Sequence, residues 1–146
     1  EFYLSVNPGE PLKPLGSVAS GGEISRVMLA VKTVLADEED TPTLIFDEID
    51  TGISGITAGK VGDRLRLIGK SRQVICITHL PQIAATADHH FLIRKKAEGT
   101  SVRTDVEMLD EAASVEELAR LLGGANVTER VMESAKELKE LAKCER

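Results

Sequence analysis

Aromatic residues are scarce in this sequence: they make up 3% of its 146 residues, and tryptophan is missing. The hydrophobic share of 42% is nonetheless typical of a globular protein. A core must therefore form mainly from aliphatic side chains. The length suits one compact domain or one lobe of a larger domain.

The sequence also has no apolar run of about 18 or more residues and no secretory signal pattern, so nothing in it indicates a membrane span. Its two cysteines, Cys76 and Cys144, lack the spacing of a metal site. Such usage favours reduced thiols in a cytoplasmic protein. Because the chain does not begin with Met and its first residues already resemble a strand, we expect a segment of a longer protein.

An excess of basic charge is missing as well. The net charge is −6 and the pI is about 5.1, whereas a domain whose surface grips nucleic acid phosphates is usually basic. Basic residues cluster only locally, over 64–72 and 94–96, and dispersed charges of this kind usually mark a solvated face. The charge therefore does not predict DNA contact by this segment.

The apolar patterning predicts alternating strands and helices. Residues 24–36 carry apolar side chains at spacings of three and four, as on one face of an amphipathic helix. The runs Thr43–Phe46 and Gln73–Thr78 are apolar without alternation, which is typical of parallel strands covered on both faces. A helical pattern over 56–68 lies between these strands, so we expect a βαβ unit.

The flanking regions complete an α/β fold over residues 1–146. We expect a strand over 2–6 with a turn and loop up to Ser20, a short helix over 82–86, paired strands over 90–94 and 101–108 joined at Glu98-Gly99, and helices over 115–122 and 128–143. Ser114-x-x-Glu117 predicts a capping box for the first of the two last helices. The predicted architecture is thus a largely parallel sheet flanked by helices, followed by a strand pair and two helices.

The stretch ASGGEISR, residues 19–26, stands just before the first long helical pattern. Ser20 and Glu23 have the spacing of a capping box. Gly21 and Gly22 are not explained by that role, since glycine costs about 0.5–1 kcal/mol against alanine in a helix. We therefore expect another group to approach the backbone closely at these glycines.

Three polar residues follow the two central strands. Asp47 and Glu48 come directly after the first strand and His79 ends the second, at the carboxyl edge where α/β sheets bind ligands. Adjacent strand residues point in opposite directions, so one carboxylate could hold a hydrated Mg²⁺ while the other faces a water molecule. Each residue alone is more often structural.

A phosphate-cradling G-x-x-x-x-G-K-[ST] loop is missing from the sequence. The stretch that ends in Gly69-Lys70-Ser71 has Arg64 where the first glycine is needed, and it follows a helix rather than a strand. The stretch GITAGK, residues 55–60, has the wrong glycine spacing and no Ser or Thr after the lysine. The chain therefore has no Walker A loop.

Four motifs occur together in a recognisable order: SGGE before a helix, TLIFDE on a strand, DTGISG after it and ITH on the next strand. This order resembles the C-terminal part of an ATP-binding cassette (ABC) ATPase. The surrounding sequence resembles the C-terminal head segment of the RecN family of bacterial DNA repair proteins, which are relatives of the structural-maintenance-of-chromosomes (SMC) proteins. The stretches that carry this resemblance are NPGEPLKPLGSVASGGEISR, ITHLPQIAA and EELARLLGG. The resemblance covers nearly the entire chain.

The resemblance implies a role for each motif residue. Ser20, Gly21, Gly22 and Glu23 match the signature motif, which in the family faces the ATP held by the opposite head. Asp47 matches the Walker B aspartate that acts on Mg²⁺ through water, and Glu48 matches the general base or water-orienting residue. His79 matches the switch histidine at the γ-phosphate, and Asp50 falls in the D-loop that crosses the head interface.

The resemblance also implies what the chain needs from elsewhere. Family members supply the Walker A lysine from an N-terminal segment that lies beyond a long coiled coil, and that segment is not in this sequence. The implied partners are this N-terminal segment, a second head in a homodimer, and DNA contacted through the full-length protein. We therefore expect the isolated segment neither to bind ATP tightly nor to hydrolyse it.

Two alternatives remain open from the sequence. The chain could be the head segment of another SMC-like or ABC ATPase, or a non-catalytic interaction module on the same fold. The presence of all the motif residues favours the ATPase in DNA double-strand break repair and recombination over the interaction module.

Overall fold

The structure is a computed structural model, and it describes residues 2–5, 9–18, 20–35, 40–98 and 101–144. The strands of these ranges are β1 Tyr3–Leu4, β2 Lys13–Pro14, β3 Thr43–Phe46, β4 Gln73–Cys76, β5 His90–Glu98 and β6 Ser101–Leu109. The helices are α1 Leu15–Val18, α2 Gly21–Val34, α3 Gly55–Gly69, α4 Pro81–Ala84, α5 Glu111–Gly123 and α6 Glu129–Cys144. Within these ranges, no helix is both long enough and apolar enough to cross a bilayer.

The chain divides into two compact units, Glu1–Thr78 and His79–Arg146. The first unit is centred on β3 and β4, which pair in parallel from Thr43 opposite Gln73 to Phe46 opposite Cys76. Helix α3 connects the two strands, so the predicted βαβ unit is confirmed. The core of this unit is aliphatic apart from one phenylalanine, and its buried residues are Leu29, Leu44, Phe46, Ile49, Ala58, Val61, Leu65 and Ile68.

One face of the β3–β4 sheet is open in this chain. Ile45 and Ile75 lie opposite each other in the register and are 68% and 44% exposed, and Ile77 is 49% exposed. The expectation that both faces of these strands are covered is therefore wrong for this chain. The apolar side chains on the open face are suited to packing, but the elements of the first unit bury only the alternate residues Leu44 and Phe46.

The segment before α2 is more ordered than the predicted loop. Strand β2 pairs antiparallel with β1, and α1 follows it directly. The amide of Leu15 donates to the carbonyl of Phe2 at 2.8 Å, which joins the start of α1 to the first strand. Residues 7 and 8 of the predicted turn lie outside the described residues.

The second unit consists of a hairpin and a helical core. Strands β5 and β6 pair antiparallel over nine residues each, from His90 opposite Leu109 to Glu98 opposite Ser101. The predicted strand pair is confirmed, although both strands extend further than the pattern predicted. Helices α4, α5 and α6 share a small core of Ala84, Ala85, Leu118, Ala119 and Ala135.

Helix α5 begins four residues earlier than predicted, and the predicted capping box at Ser114 and Glu117 is wrong. The N-cap is Asp110, whose side chain accepts a hydrogen bond from the amide of Ala113 at 2.8 Å. Ser114 is inside the helix, where its hydroxyl lies 2.9 Å from Nδ1 of His90. An aspartate at the N-cap satisfies the same orphan amides that a serine would, which is why the local pattern was ambiguous.

Candidate functional site

The first candidate residues lie at the start of α2. Ser20 is the N-cap, and its hydroxyl accepts a hydrogen bond from the amide of Glu23 at 3.3 Å. The Glu23 carboxylate in turn accepts from the amide of Ser20 at 2.7 Å and from its hydroxyl at 2.9 Å. These two bonds, the backbone bond first, lower the pKa of Glu23. The capping box predicted from the sequence is therefore confirmed.

The two glycines between Ser20 and Glu23 have different surroundings. A Cβ atom at Gly22 would lie 2.9 Å from the carbonyl oxygens of Glu48 and Thr51 and 2.9 Å from the Thr51 Cβ. A Cβ atom at Gly21 would lie 2.6 Å from Oε2 of Glu48, the tip of a flexible side chain. Gly22 is buried and Gly21 is exposed. The close approach predicted at these glycines therefore comes, at Gly22, from the backbone of this same chain.

The segment that approaches the glycines is the turn after β3, residues 47–51. Glu48 has φ of 56°, a left-handed conformation that is uncommon for a residue other than glycine. The turn is closed by the Thr51 amide, which donates to the Glu48 carbonyl at 3.0 Å, and the Glu48 amide donates to Oδ1 of Asp47 at 2.8 Å. The side chains of Asp47 and Glu48 are both exposed.

Two side chains of α2 bind this turn, and sequence reasoning missed both. The Ser25 hydroxyl donates to the Asp47 carbonyl at 3.0 Å. Nη1 of Arg26 donates to the carbonyls of Ile49 at 3.1 Å and Thr51 at 2.8 Å. The available signal was position: residues 25 and 26 follow the two glycines by four, so they lie one turn further along the same helix face.

Asp50 is buried rather than presented to solvent. Its side chain is 4% exposed, and Oδ2 accepts a hydrogen bond from the Thr78 hydroxyl at 2.7 Å. This bond joins the turn after β3 to the residue that follows β4 by two positions. Thr51 and Gly52, the next two residues of the loop, are exposed.

The pKa of the Cys76 thiol is affected by burial and by two nearby aspartates. Its pKa is raised to about 12, first by burial and then by the negative charges of Asp50 and Asp47. The thiol is therefore protonated at neutral pH. His79 follows β4 by three residues, is exposed, and begins the second unit.

The chemistry of the first-unit residues fits a phosphate group and a hydrated cation. The amide of Ile24 makes the first bond of the α2 ladder, to the Ser20 carbonyl at 2.9 Å, so the amides of Gly21 and Gly22 lie outside that ladder at the positive end of the helix. Such an end attracts anions. Asp47 presents an exposed carboxylate, a ligand type that Mg²⁺ prefers.

The described residues contain no group of three or more His, Cys, Asp or Glu side chains arranged to hold a metal ion. A magnesium ion at Asp47 would therefore take its remaining ligands from water and phosphate oxygens. That mode of binding is the usual one for Mg²⁺, which dehydrates reluctantly.

Curated relatives match nearly the whole chain. The chain is 53% identical over 142 residues to the DNA repair protein RecN of Halalkalibacterium halodurans, 50% identical over 137 residues to RecN of Vibrio cholerae, and 43% identical over 146 residues to RecN of Streptomyces coelicolor. These matches cover 97%, 94% and 100% of this chain. They cover 25%, 25% and 26% of the relatives, so the chain spans about a quarter of their length, the C-terminal quarter.

A solved structure has the same fold. The chain matches a protein from work on the ATP-driven dimerization and DNA-stimulated activation of SMC ATPases, with a TM-score of 0.54 and 23% identity. The match covers 81% of this chain and 70% of that chain. At this identity the likeness shows the fold alone, and it agrees with the α/β class predicted from the sequence. No protein-family model matches the chain.

Proposed function

We propose that this chain, which belongs to the RecN family over the quarter that the two share, is the C-terminal part of an ATP-hydrolysing head that acts in DNA repair. The observation that carries the proposal is the close packing of the α2 glycines on the turn that bears Asp47 and Glu48. This packing joins an anion-attracting helix end to a pair of exposed carboxylates. In such a head, the helix end would meet the phosphates of one nucleoside triphosphate and the carboxylates the hydrated cation of another.

The turn after β3 would serve a nucleotide held by its own head. Asp47 would contact Mg²⁺ through water, and Glu48 would orient a water molecule and take its proton. When bound, ATP would supply the phosphoryl group, and Mg²⁺ would neutralise the negative charge of the phosphates. The left-handed backbone at Glu48 supports the assignment, because such conformations cluster at functional sites.

The start of α2 would serve a nucleotide held by the opposite head. Ser20 and Gly21 are exposed at the positive end of α2, so a phosphate on another molecule could reach them. A homodimer would complete two such sites. The family resemblance assigns His79 to the γ-phosphate and Asp50, through its D-loop, to the head interface, and both assignments are carried over as part of the proposal.

The remainder of the head would come from a segment outside this sequence. The open apolar face of the β3–β4 sheet, with Ile45, Ile75 and Ile77, supports this view because such a face is normally buried in an α/β protein. The relatives are about four times longer than the chain, which leaves room for a Walker A segment. The net charge of this segment, −6, does not favour contact with nucleic acid phosphates. The proposal therefore gives DNA contact and the role in recombination to the full-length protein in the cytoplasm.

Mixing the chain with a Walker A segment from the same full-length protein tests the proposal. We expect no turnover of ATP by either piece alone and measurable turnover by the mixture. Glu48→Gln should lower the turnover about 10²-fold or more while leaving nucleotide-dependent pairing of heads, since removal of a general base affects chemistry rather than binding. Glu133→Gln, an exposed change on α6, is the matched control.

Two results would contradict this proposal. Turnover by the isolated chain would mean that no Walker A segment is needed. A folded mixture that binds nucleotide but never hydrolyses it, with Glu48 intact, would favour a non-catalytic interaction module.

A further inference from the structure

We propose that Arg26 is a positioning residue that couples the two halves of this site. It would fasten the turn at residues 47–51, which serves the nucleotide of its own head, to the start of α2, which serves the nucleotide of the opposite head. The inference rests on the proposed function and adds a residue that the motif roles do not include.

The geometry of Arg26 suits this role. Its Nη1 atom bridges two backbone carbonyls of the turn, those of Ile49 and Thr51. Ser25, its neighbour on α2, binds the carbonyl of Asp47. Two consecutive helix residues thus hold alternate carbonyls of the turn, so its backbone is restrained at three points, one before Glu48 and two after it.

The turn requires such a restraint because Glu48 occupies the left-handed region, which is unfavourable for an L-residue. Strained backbone persists only where its surroundings hold it. The Glu48 carbonyl also lies close to Gly22, where a Cβ atom would be 2.9 Å away. Movement of the α2 start therefore cannot leave the turn behind without breaking hydrogen bonds or opening this contact.

The consequence is a link between the two nucleotides of a dimer. When the opposite head engages Ser20 and Gly21, any shift of the α2 start would be passed through Arg26 to the turn, and so to Glu48. Coupling of this kind travels through packed elements and hydrogen bonds with defined arrangements. Each head would then hydrolyse its own nucleotide efficiently only while its signature motif is engaged.

Substitutions at Arg26 separate this role from simple support of the fold. Arg26→Met keeps most of the aliphatic stem but removes both hydrogen bonds. Arg26→Lys keeps the charge but lacks the planar fork of donors, so it should hold the turn only in part. Arg130→Met, an exposed change on α6, is the matched control.

The experiment uses the full-length protein that carries this segment together with its Walker A segment. We expect Arg26→Met to lower kcat about ten-fold or more, since small misplacements of a catalytic group have effects of this size. KM for ATP should stay within about two-fold, because neither carbonyl contact touches the nucleotide. Arg26→Lys should fall between wild type and Arg26→Met, and Arg130→Met should match wild type.

Hydrogen exchange provides a second readout that needs no nucleotide. The amides of Thr51 and Ile53, which donate within the loop to Glu48 and Asp50, should exchange faster in Arg26→Met than in wild type. Amides of α3 should exchange at the wild-type rate. A uniform rise across α3 and the loop would indicate general destabilisation and would overturn the inference.

The outcomes also distinguish this inference from the proposed function. A full-length wild-type protein without ATP turnover overturns the proposed function and the coupling with it. A wild type that turns over ATP, with an Arg26→Met variant of equal kcat and equal loop exchange, overturns the inference alone.

Discussion

Two of the stretches with the spacing Ser-x-x-Glu use it differently. At the start of α2, Ser20 and Glu23 bind each other's backbone amides and cap the helix. Inside α5, Asp110 is the cap, Ser114 contacts His90 of β5, and Glu117 binds Arg120 of the same helix. The same local pattern thus belongs to a helix end in one unit and to a buried polar group in the other.

The second stretch forms a closed polar cluster. Ser114 and Glu117 are buried, and the Ser114 hydroxyl lies next to the His90 ring. Glu117 accepts two hydrogen bonds from Arg120, at 2.8 and 2.5 Å, which raise the pKa of that guanidinium. All these partners lie within the second unit.

The first stretch is open by contrast. Ser20 and Gly21 remain exposed, and the glycines let α2 approach a turn whose carboxylates also face solvent. The residues between the serine and the glutamate make the difference: two glycines permit backbone contact, whereas Val115 and Glu116 do not. A capping pattern therefore points to function only when its inner residues are unfavourable for the helix itself.

The largest stability effect is expected at Gly22. Gly22→Ala would push a Cβ atom against two carbonyl oxygens and the Thr51 side chain, and such overpacking costs about 2 kcal/mol. Gly21→Ala meets only the movable Glu48 carboxylate, so it should change stability little while lowering ATP turnover. Urea unfolding of each variant gives the free energies.

Gly59→Ala is the control for these glycine variants. A Cβ atom at this position of α3 meets nothing within 4 Å, so alanine should stabilise the chain by about 0.5–1 kcal/mol through its helix preference. Equal losses at Gly21 and Gly22 would contradict the different surroundings assigned to them.

Removal of the caps should have the next largest effect. Ser20→Ala and Asp110→Ala should each lower the free energy of unfolding by about 1 kcal/mol, because each removes the side chain that accepts from an orphan amide. Ser114→Ala should leave the α5 cap intact and instead change the titration of His90. An α5 amide signal near Ala113 that is disturbed by Ser114→Ala but not by Asp110→Ala would contradict the assigned N-cap.

The smallest effect is a difference in pH dependence between the two stretches. Burial, and then the charge of Lys139, lower the pKa of His90 below its ordinary value of 6.5. The unfolded chain therefore takes up this proton first as the pH falls, so the contribution of His90 is present above about pH 6.5 and is lost as the pH falls through the folded pKa.

The first stretch should respond only in more acidic solution. The pKa of Glu23 is lowered from 4.5, so its contribution is present above that value and is lost as the pH falls through the folded pKa. Lowering the pH from about 7.5 to 5.5 should thus weaken the second unit alone. Urea unfolding monitored by resolved signals from each unit would measure this, and His90→Gln should remove the response.

Local signals predicted some of these features well. The α2 cap, the β3–β4 parallel pair and the β5–β6 hairpin were predictable because their patterns involve neighbours in sequence or one short crossover. The box at Ser114 was predicted wrongly because Asp110 is an equally good cap, and only tertiary contact with His90 separates the two. The expected burial of both sheet faces was wrong because Ile45 and Ile75 are not covered by any element of the described residues.

The contacts of Arg26 could not be predicted from the sequence. Each contact joins the Arg26 side chain to a backbone carbonyl that lies 23 or 25 positions further along the chain. Every residue has such a carbonyl, so the sequence carries no signal for the contact. The same reason hid the approach of the turn to Gly22. The glycines predicted a close approach to the backbone of α2, but only the structure identified the turn at residues 47–51 as the approaching group.

Mixing two inactive full-length variants tests the central claim most directly. Ser20→Arg would block the signature motif of one head, and Glu48→Gln would disable the turn of another. In a mixed dimer, one of the two sites combines an intact Glu48 with an intact Ser20 from the opposite head. We predict that each variant alone is inactive and that an equal mixture regains measurable ATP turnover, up to about a quarter of wild type. Half of random dimers are mixed, and each has one working site, in a head whose own signature motif is blocked. A mixture that stays inactive, although the variants form mixed dimers, would contradict the account.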